Sequence, residues 1–289
     1  MTKINLLILI AFIIALCRAE EKEMHKIYDT KSNKEINLNE LASELSNYDV
    51  IFFGESHNSA VLHRLEIKLI REFYKENKNL IISAEMFERD TQLFIDQYIN
   101  GEIKEDEFLQ NSRPWSNYST DYRPIVEFCK DNKLQFIAAN VPRRYAKLIN
   151  LQGEDAAENL PENEQKFIAS QIKALDNEYK KRFFATMSSN MMHGGKMPMK
   201  MNLDNLYSAQ CVKDDTMAES IAKEAGKNKK IIHINGKFHS DAHLGTANKL
   251  HLLKPGLKIA VITAFEIENR DFELTEKQRK DGDFVILFN

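Results

Sequence analysis

At 289 residues, 43% of them hydrophobic and 29% charged, the chain can bury a substantial core in one large domain, or in one domain with a small appendage. Its formal net charge of -3 excludes the basic footprint of a nucleic-acid binder. The charges are spread along the chain, with no acidic or basic tail, no repeat and no low-complexity block.

Lys3 is followed by Ile4 to Leu16, almost wholly apolar, with Asn5 the one polar residue. This is the positive start and short apolar stretch of a secretory signal, shorter than the ~20 residues a membrane-spanning helix needs. Two cleavage readings compete. Small residues in Cys17-Arg18-Ala19 give a signal over 1–19 and a soluble exported protein. Ile14-Ala15-Leu16-Cys17 resembles a bacterial lipobox, which ends the signal at 16 and leaves a diacylated Cys17, with Leu16 where a small residue is usual. Cys129 and Cys211 are then too few for a disulfide framework, and Cys129, within Ile-Val-Glu-Phe-Cys, reads as a small core residue.

Ile27 to Asp29 reads as a short edge strand, and Asn37 with Glu40 three residues on as a capped helix start. Val50 to Phe53 is a continuous β-branched and aromatic run, the signature of a strand buried on both faces. Gly54 breaks it, and Glu55, Ser56 and His57 follow at its carboxyl end. A helical pattern runs to about Lys75, then Leu80 to Ala84 forms a second strand ending at Glu85, a right-handed βαβ unit. Helices follow over Arg89–Tyr98 and Glu105–Leu109, a loop over Asn111–Asp121, and a helix opened by Pro124. Leu134 to Ala139 is the third strand, and Pro142 opens the next helix. Residues 153–192 read as helical, with an apolar stripe at Phe167, Ile168, Ile172 and Leu175. After the helix Ser208–Glu224 come the strand Lys230–Asn235, a histidine-containing helix, and the strands Lys258–Thr263 and Phe284–Phe288. The expected fold is α/β, a mainly parallel central sheet flanked by helices, with a smaller all-helical subdomain. Residues 20–88, 121–152 and 205–289 make the α/β domain, and 89–120 with 153–204 the helical one.

Two strand ends share a pattern: Gly54-Glu55-Ser56-His57 and Gly236-Lys237-Phe238-His239. Parallel strands bring their carboxyl ends to one rim, so His57, Glu85 and His239 are expected to converge, as a metal site, an acid/base site or a buried polar network. His243 lies four residues after His239 and is expected on the same helix face. His25, His63 and His251 read as surface residues, and His233, inside a strand, as a core group. Arg123, Arg143 and Arg144 read as residues able to face anions, Arg143 and Arg144 as structural partners of Glu55 or Glu85 or as ligands of a substrate carboxylate.

Half of the methionines fall between Met191 and Met201, where Gly194, Gly195 and Pro198 stop any long helix. Such a stretch suits a flat hydrophobic ligand, an adaptable interface, or simple gap-filling against the core. Its neighbours His193 and Tyr207 are able to reach a haem.

Gly54-Glu55-Ser56-His57-Asn58, Ser83-Ala84-Glu85-Met86-Phe87, Asp121-Tyr122-Arg123-Pro124-Ile125-Val126 and Asn235-Gly236-Lys237-Phe238-His239 together resemble the ChaN-type haem-binding lipoproteins. Erythromycin esterases and Tiki-type metalloproteases belong to the same superfamily. The resemblance covers roughly Val50 to Thr263. It implies an exported lipoprotein of the bacterial outer membrane, facing the periplasm and serving haem and iron acquisition, with Cys17 as the lipid site. It also implies haem iron held by a tyrosine, for which Tyr207 is the local match, with His193 at a propionate or the iron and Met192 and Met199 beside the ring. Tyr118, Tyr122 and Tyr145 are the rival tyrosines. An exposed haem face implies a homodimer, and a haem receptor or transporter as a further partner. The superfamily's hydrolases imply an alternative, a metal-dependent esterase or peptidase using His57, Glu85 and His239.

Overall fold

The computed structural model describes residues 25–192, 202–226, 228–268 and 273–289. The signal segment with Cys17, the positions of His193 and Met199, and the side chain of Met192 lie outside the described residues. In chain order the strands are β1 (His25–Asp29), β2 (Lys34–Ile36), β3 (Val50–Glu55), β4 (Leu80–Glu88), β5 (Phe136–Asn140), β6 (Lys230–Gly236), β7 (Ile259–Glu266) and β8 (Phe284–Phe288). They form one sheet in the order β2-β1-β8-β7-β3-β6-β4-β5. From β8 to β5 the neighbours are parallel, and β1 pairs antiparallel with both β8 and β2.

β3 lies between β6 and β7, and every one of its residues is buried. Side chains alternate across the pleat. Ile51 and Phe53 enter one core with Ile82, Ile232 and the helix Ala60–Glu76, through Leu62, Leu65 and Leu69. Val50 and Phe52 enter the opposite core with Ile81, Ile231 and Met217, Ala218 and Ile221 of the helix Leu203–Glu224. A strand covered on both faces needs apolar residues in succession, which is why its sequence lacks alternation.

β3, the helix Ala60–Glu76 and β4 do follow one another, but β6 pairs between the two strands, so the crossover skips a position. Gly54 stays within β3; a Cβ there would sit 3.0 Å from the Lys237 Cα and the Ile262 carbonyl oxygen, so the glycine lets neighbouring backbone approach.

Three expectations change. The two stretches assigned to one helical subdomain pack apart: Ile95, Tyr98, Ile99 and Phe108 join the core on the Phe53 face, whereas Leu160 and Ile168 pack with Tyr145, Ile149, Ala209 and Val212. Within 153–177 only short turns form, at Glu154–Ala157 and Glu162–Gln165, before the helix Glu178–Met192. The amides of Ala169, Ser170 and Lys173 are taken by Thr216, Glu219 and Asp215 side chains, which compete with helical bonding. The histidine-containing helix is two short turns, Lys237–His239 and Asp241–His243, with Ala242 and His243 at φ 56°. His239 and His243 therefore share no helix face, and His243 pairs with Asp283 instead.

Candidate functional site

The carboxyl ends of β3, β6, β4 and β5 meet at one rim, where open parallel sheets keep their ligands. The β3–β6 register sets Glu55 beside Gly236. His57 Nδ1 lies 2.6 Å from Glu55 Oε1, which also accepts from the Tyr122 hydroxyl at 2.7 Å. Across the strand end, Glu85 Oε2 accepts the Gly236 amide at 2.8 Å and its Oε1 faces His239 Nε2 at 3.2 Å. A Cβ on Gly236 would meet His57 Nε2 at 2.6 Å, with Glu85 Oε2 at 3.6 Å, so the glycine is what allows the two halves to close together.

His239 is held from behind as well. Its Nδ1 faces Asp214 Oδ1 at 2.7 Å, and Asp214 accepts further bonds from Thr246 and Tyr179, both hydroxyls. Burial would lower the His239 pKa, but Glu85 and Asp214 on either side push it up to about 10. Glu85 is buried too, yet His239 holds it well below the usual carboxylate range. The pair is thus imidazolium and carboxylate at neutral pH. His57 is half-exposed and forms one wall of a cleft of about 690 Å³. Trp115, Phe183, Met187 and Phe238 are its apolar lining. Lys213, Lys237 and Arg143 line it together with Glu85 and Glu88, Arg143 being paired with Glu88 and the Lys237 ammonium donating to the Ala264 carbonyl.

Behind Glu55 lies a second cluster. His63, expected at the surface, is 4% exposed, with Nδ1 3.1 Å from Glu55 Oε2 and 3.2 Å from Glu66 Oε2. Burial opposes its charge, but the two carboxylates hold its pKa up at about 11. Burial pushes Glu55 upward, but hydrogen bonds to His57 and His63 hold it down at about 2. Glu66, fully buried beside the Glu55 charge, is driven well above its ordinary value. Among the described residues this is the one group of three donors close enough to share an ion; His57, Glu85 and His239 are not such a group.

A sequence model of the family described as haem-binding uptake, Tiki superfamily, ChaN, matches residues 41–250. The chain belongs to the ChaN family. A solved ChaN of Campylobacter jejuni, described for its cofacial haem binding, shares the fold of this ChaN-family chain at a TM-score of 0.68 and 20% identity, covering 93% of this chain and 98% of its own. A Bacillus cereus protein is similar at a TM-score of 0.47 and 11% identity, over 87% of this chain and 91% of its own. A toxin effector domain of Vibrio vulnificus reaches 0.42 and 13%, over 81% of this chain and 37% of its own. No curated protein sequence matches the chain.

Of the haem residues expected from the sequence, only Tyr207 lies among the described side chains of this ChaN-family fold. Tyr207 is 2% exposed, its ring packed among Tyr179, Phe183 and Phe184, and its hydroxyl donates to the Leu175 carbonyl. Burial drives its pKa up, which disfavours tyrosinate. The rivals Tyr118, Tyr122 and Tyr145 are buried as well, Tyr122 on Glu55 and Tyr145 on Glu164. His233 is buried against Ser83, and burial lowers its pKa to about 3, as a core group requires. His251 is exposed. The arginines pair with carboxylates, but not with Glu55 or Glu85: Arg143 with Glu88, Arg144 with Asp90, and Arg123 with Glu105. Asp214 and Gln210, which complete the His239 environment, share one face of a helix by their four-residue spacing. Neither was singled out from the sequence, where that spacing is the one local signal they leave.

Proposed function

We propose that this chain binds haem in a bacterial haem and iron uptake route, and that the haem lies along the apolar wall of Phe183, Phe184 and Met187. The carrying observation is the match of residues 41–250 to a haem-binding family. The cleft beside that wall is consistent with such a ligand: a flat apolar side for the ring and lysines for carboxylate substituents. The N-terminal segment supports export, and Cys17 a lipid anchor in the outer membrane facing the periplasm, from which haem passes to a receptor or transporter. Among the described residues no helix is long and apolar enough to cross a membrane. Cofacial haem binding in the Campylobacter jejuni relative makes pairing of two copies over haem the assembly to test first.

Haemin titrated into the purified mature protein is expected to give a Soret band saturating near one haem per chain; an unshifted haemin spectrum removes the reading. The Tyr207→Phe variant then assigns the ligand. Loss of the wild-type spectrum means that Tyr207 leaves the Leu175 carbonyl on binding, and retention places the iron on another residue.

The strand-end geometry favours a second reading, hydrolysis by acid/base chemistry. Half-exposed His57 backed by Glu55, facing charged His239, presents a base and an acid at one cleft. An esterase and peptidase screen, with His57→Ala as control, tests it; no turnover in the wild type ends it.

A further inference from the structure

His63 and Glu66, which lie behind Glu55, are used by neither reading; Glu55 itself backs His57 in the second. The cluster contains two glutamates, each 1% exposed, and both face the same nitrogen of His63. Glu66 Oε1 is buried without a hydrogen bond, and Glu55 Oε2 has only its 3.1 Å contact with His63 Nδ1. Two such carboxylates carry more negative charge than one ring proton neutralises, and leaving the excess uncompensated in a closed interior is costly. A proton on Glu66 relieves this; a divalent cation relieves it more completely.

We infer that Glu55, His63 and Glu66 form a closed binding site for a first-row divalent cation, of which Zn²⁺ is the probe. Their three donor atoms lie within 4.8 Å of one another. The 3.1 and 3.2 Å separations from His63 Nδ1 are close to the ~3.3 Å between ligand atoms that ~2.0 Å bonds impose in a tetrahedral site. The surroundings select the right form of the imidazole. His63 Nε2 lies 3.2 Å from the His57 carbonyl oxygen, which only accepts, so Nε2 carries a proton and Nδ1 is the free donor once its own proton leaves. Tyr122 donates to Glu55 Oε1 at 2.7 Å and stacks edge-on to the His63 ring, fixing both ligands from the other side. On binding, one metal–nitrogen and two metal–oxygen bonds form, and protons held by His63 Nδ1 and Glu66 go to solvent. One nitrogen and two carboxylates suit Zn²⁺ or Mn²⁺ better than a soft ion. The site is closed and sits between β3 and the helix Ala60–Glu76, so its role is to tie the Glu55 strand end to that helix.

The test uses haem-free full-length protein stripped with chelator and titrated with Zn²⁺. Calorimetry is expected to show one ion per chain with proton release. X-ray absorption at the zinc edge is expected to show one imidazole nitrogen with oxygen neighbours. Glu66→Gln, checked for native circular dichroism, should weaken binding by roughly tenfold or more. No uptake, an unchanged affinity in Glu66→Gln, or two imidazoles on the ion overturns the assignment. The absorption measurement is made on the wild type, so it decides even where Glu66→Gln fails to fold. Haem binding is read separately by its Soret band, so failure of one leaves the other standing.

Discussion

The His239 ring is clasped by Glu85 and Asp214, and that keeps it protonated at neutral pH. Its folded pKa, about 10 against an ordinary 6.5, couples this charge to stability. Below pH 6.5 the ring is protonated in the folded and unfolded chains alike, and the ion pairs contribute fully. Between 6.5 and 10 the unfolded chain gives up the proton while the folded chain keeps it, so stability falls as pH rises. The expected loss across that window is on the order of 2–4 kcal/mol. Urea unfolding at pH 7 and 9.5 measures it, and His239→Gln should flatten the drop. An equally steep drop in the variant would assign the titration to another group. The same charge explains why His57, Glu85 and His239, which looked like metal ligands from their matched Gly-x-x-His turns, meet as an ion pair plus a separate base.

At the scale of elements, Arg89 joins the end of β4 to two segments far away in sequence. Its guanidinium donates to the carbonyls of Ile168 and Thr216, to Glu219 and to the Ser220 hydroxyl. Arg89→Met removes a donor from two carbonyls and from the partly buried Glu219 carboxylate, so a loss of about 1–3 kcal/mol is expected. Thermal and denaturant unfolding check it; a loss under about 1 kcal/mol would mean that water replaces the clamp. Links of this kind also show what the sequence could carry. The strands were legible because burial on both faces leaves unbroken apolar runs, as in Val50 to Phe53. That β6 inserts between β3 and β4 was not, because strand order depends on pairings between residues nearly 200 positions apart, as with Phe53 and Ile234. His57, Glu85 and His239 were readable from their places at strand ends. His63 was misread as a surface residue, although His63 and Glu66 have helical spacing and follow Glu55 closely. The burial of that helix face against Tyr122 supplies the missing information, and no local pattern encodes it.

For the whole molecule, the haem reading has a consequence in assembly. Phe183 is buried, whereas Phe184 and Met187 are only partly covered, so the wall they form contacts a flat ligand from one side. A haem held there keeps its opposite apolar face in water unless a second surface covers it. A second copy of the same chain is the economical cover, because a two-fold axis lets one patch serve both sides. Haem loading is therefore expected to shift the protein from a single copy to a pair in sedimentation velocity, more so at higher concentration. Met187→Glu sets a charge on that wall, and desolvating it on pairing should weaken association by roughly tenfold or more. Haem-loaded wild type that sediments as a single copy, with its Soret band intact, would place the ligand in the enclosed part of the cleft beside His57.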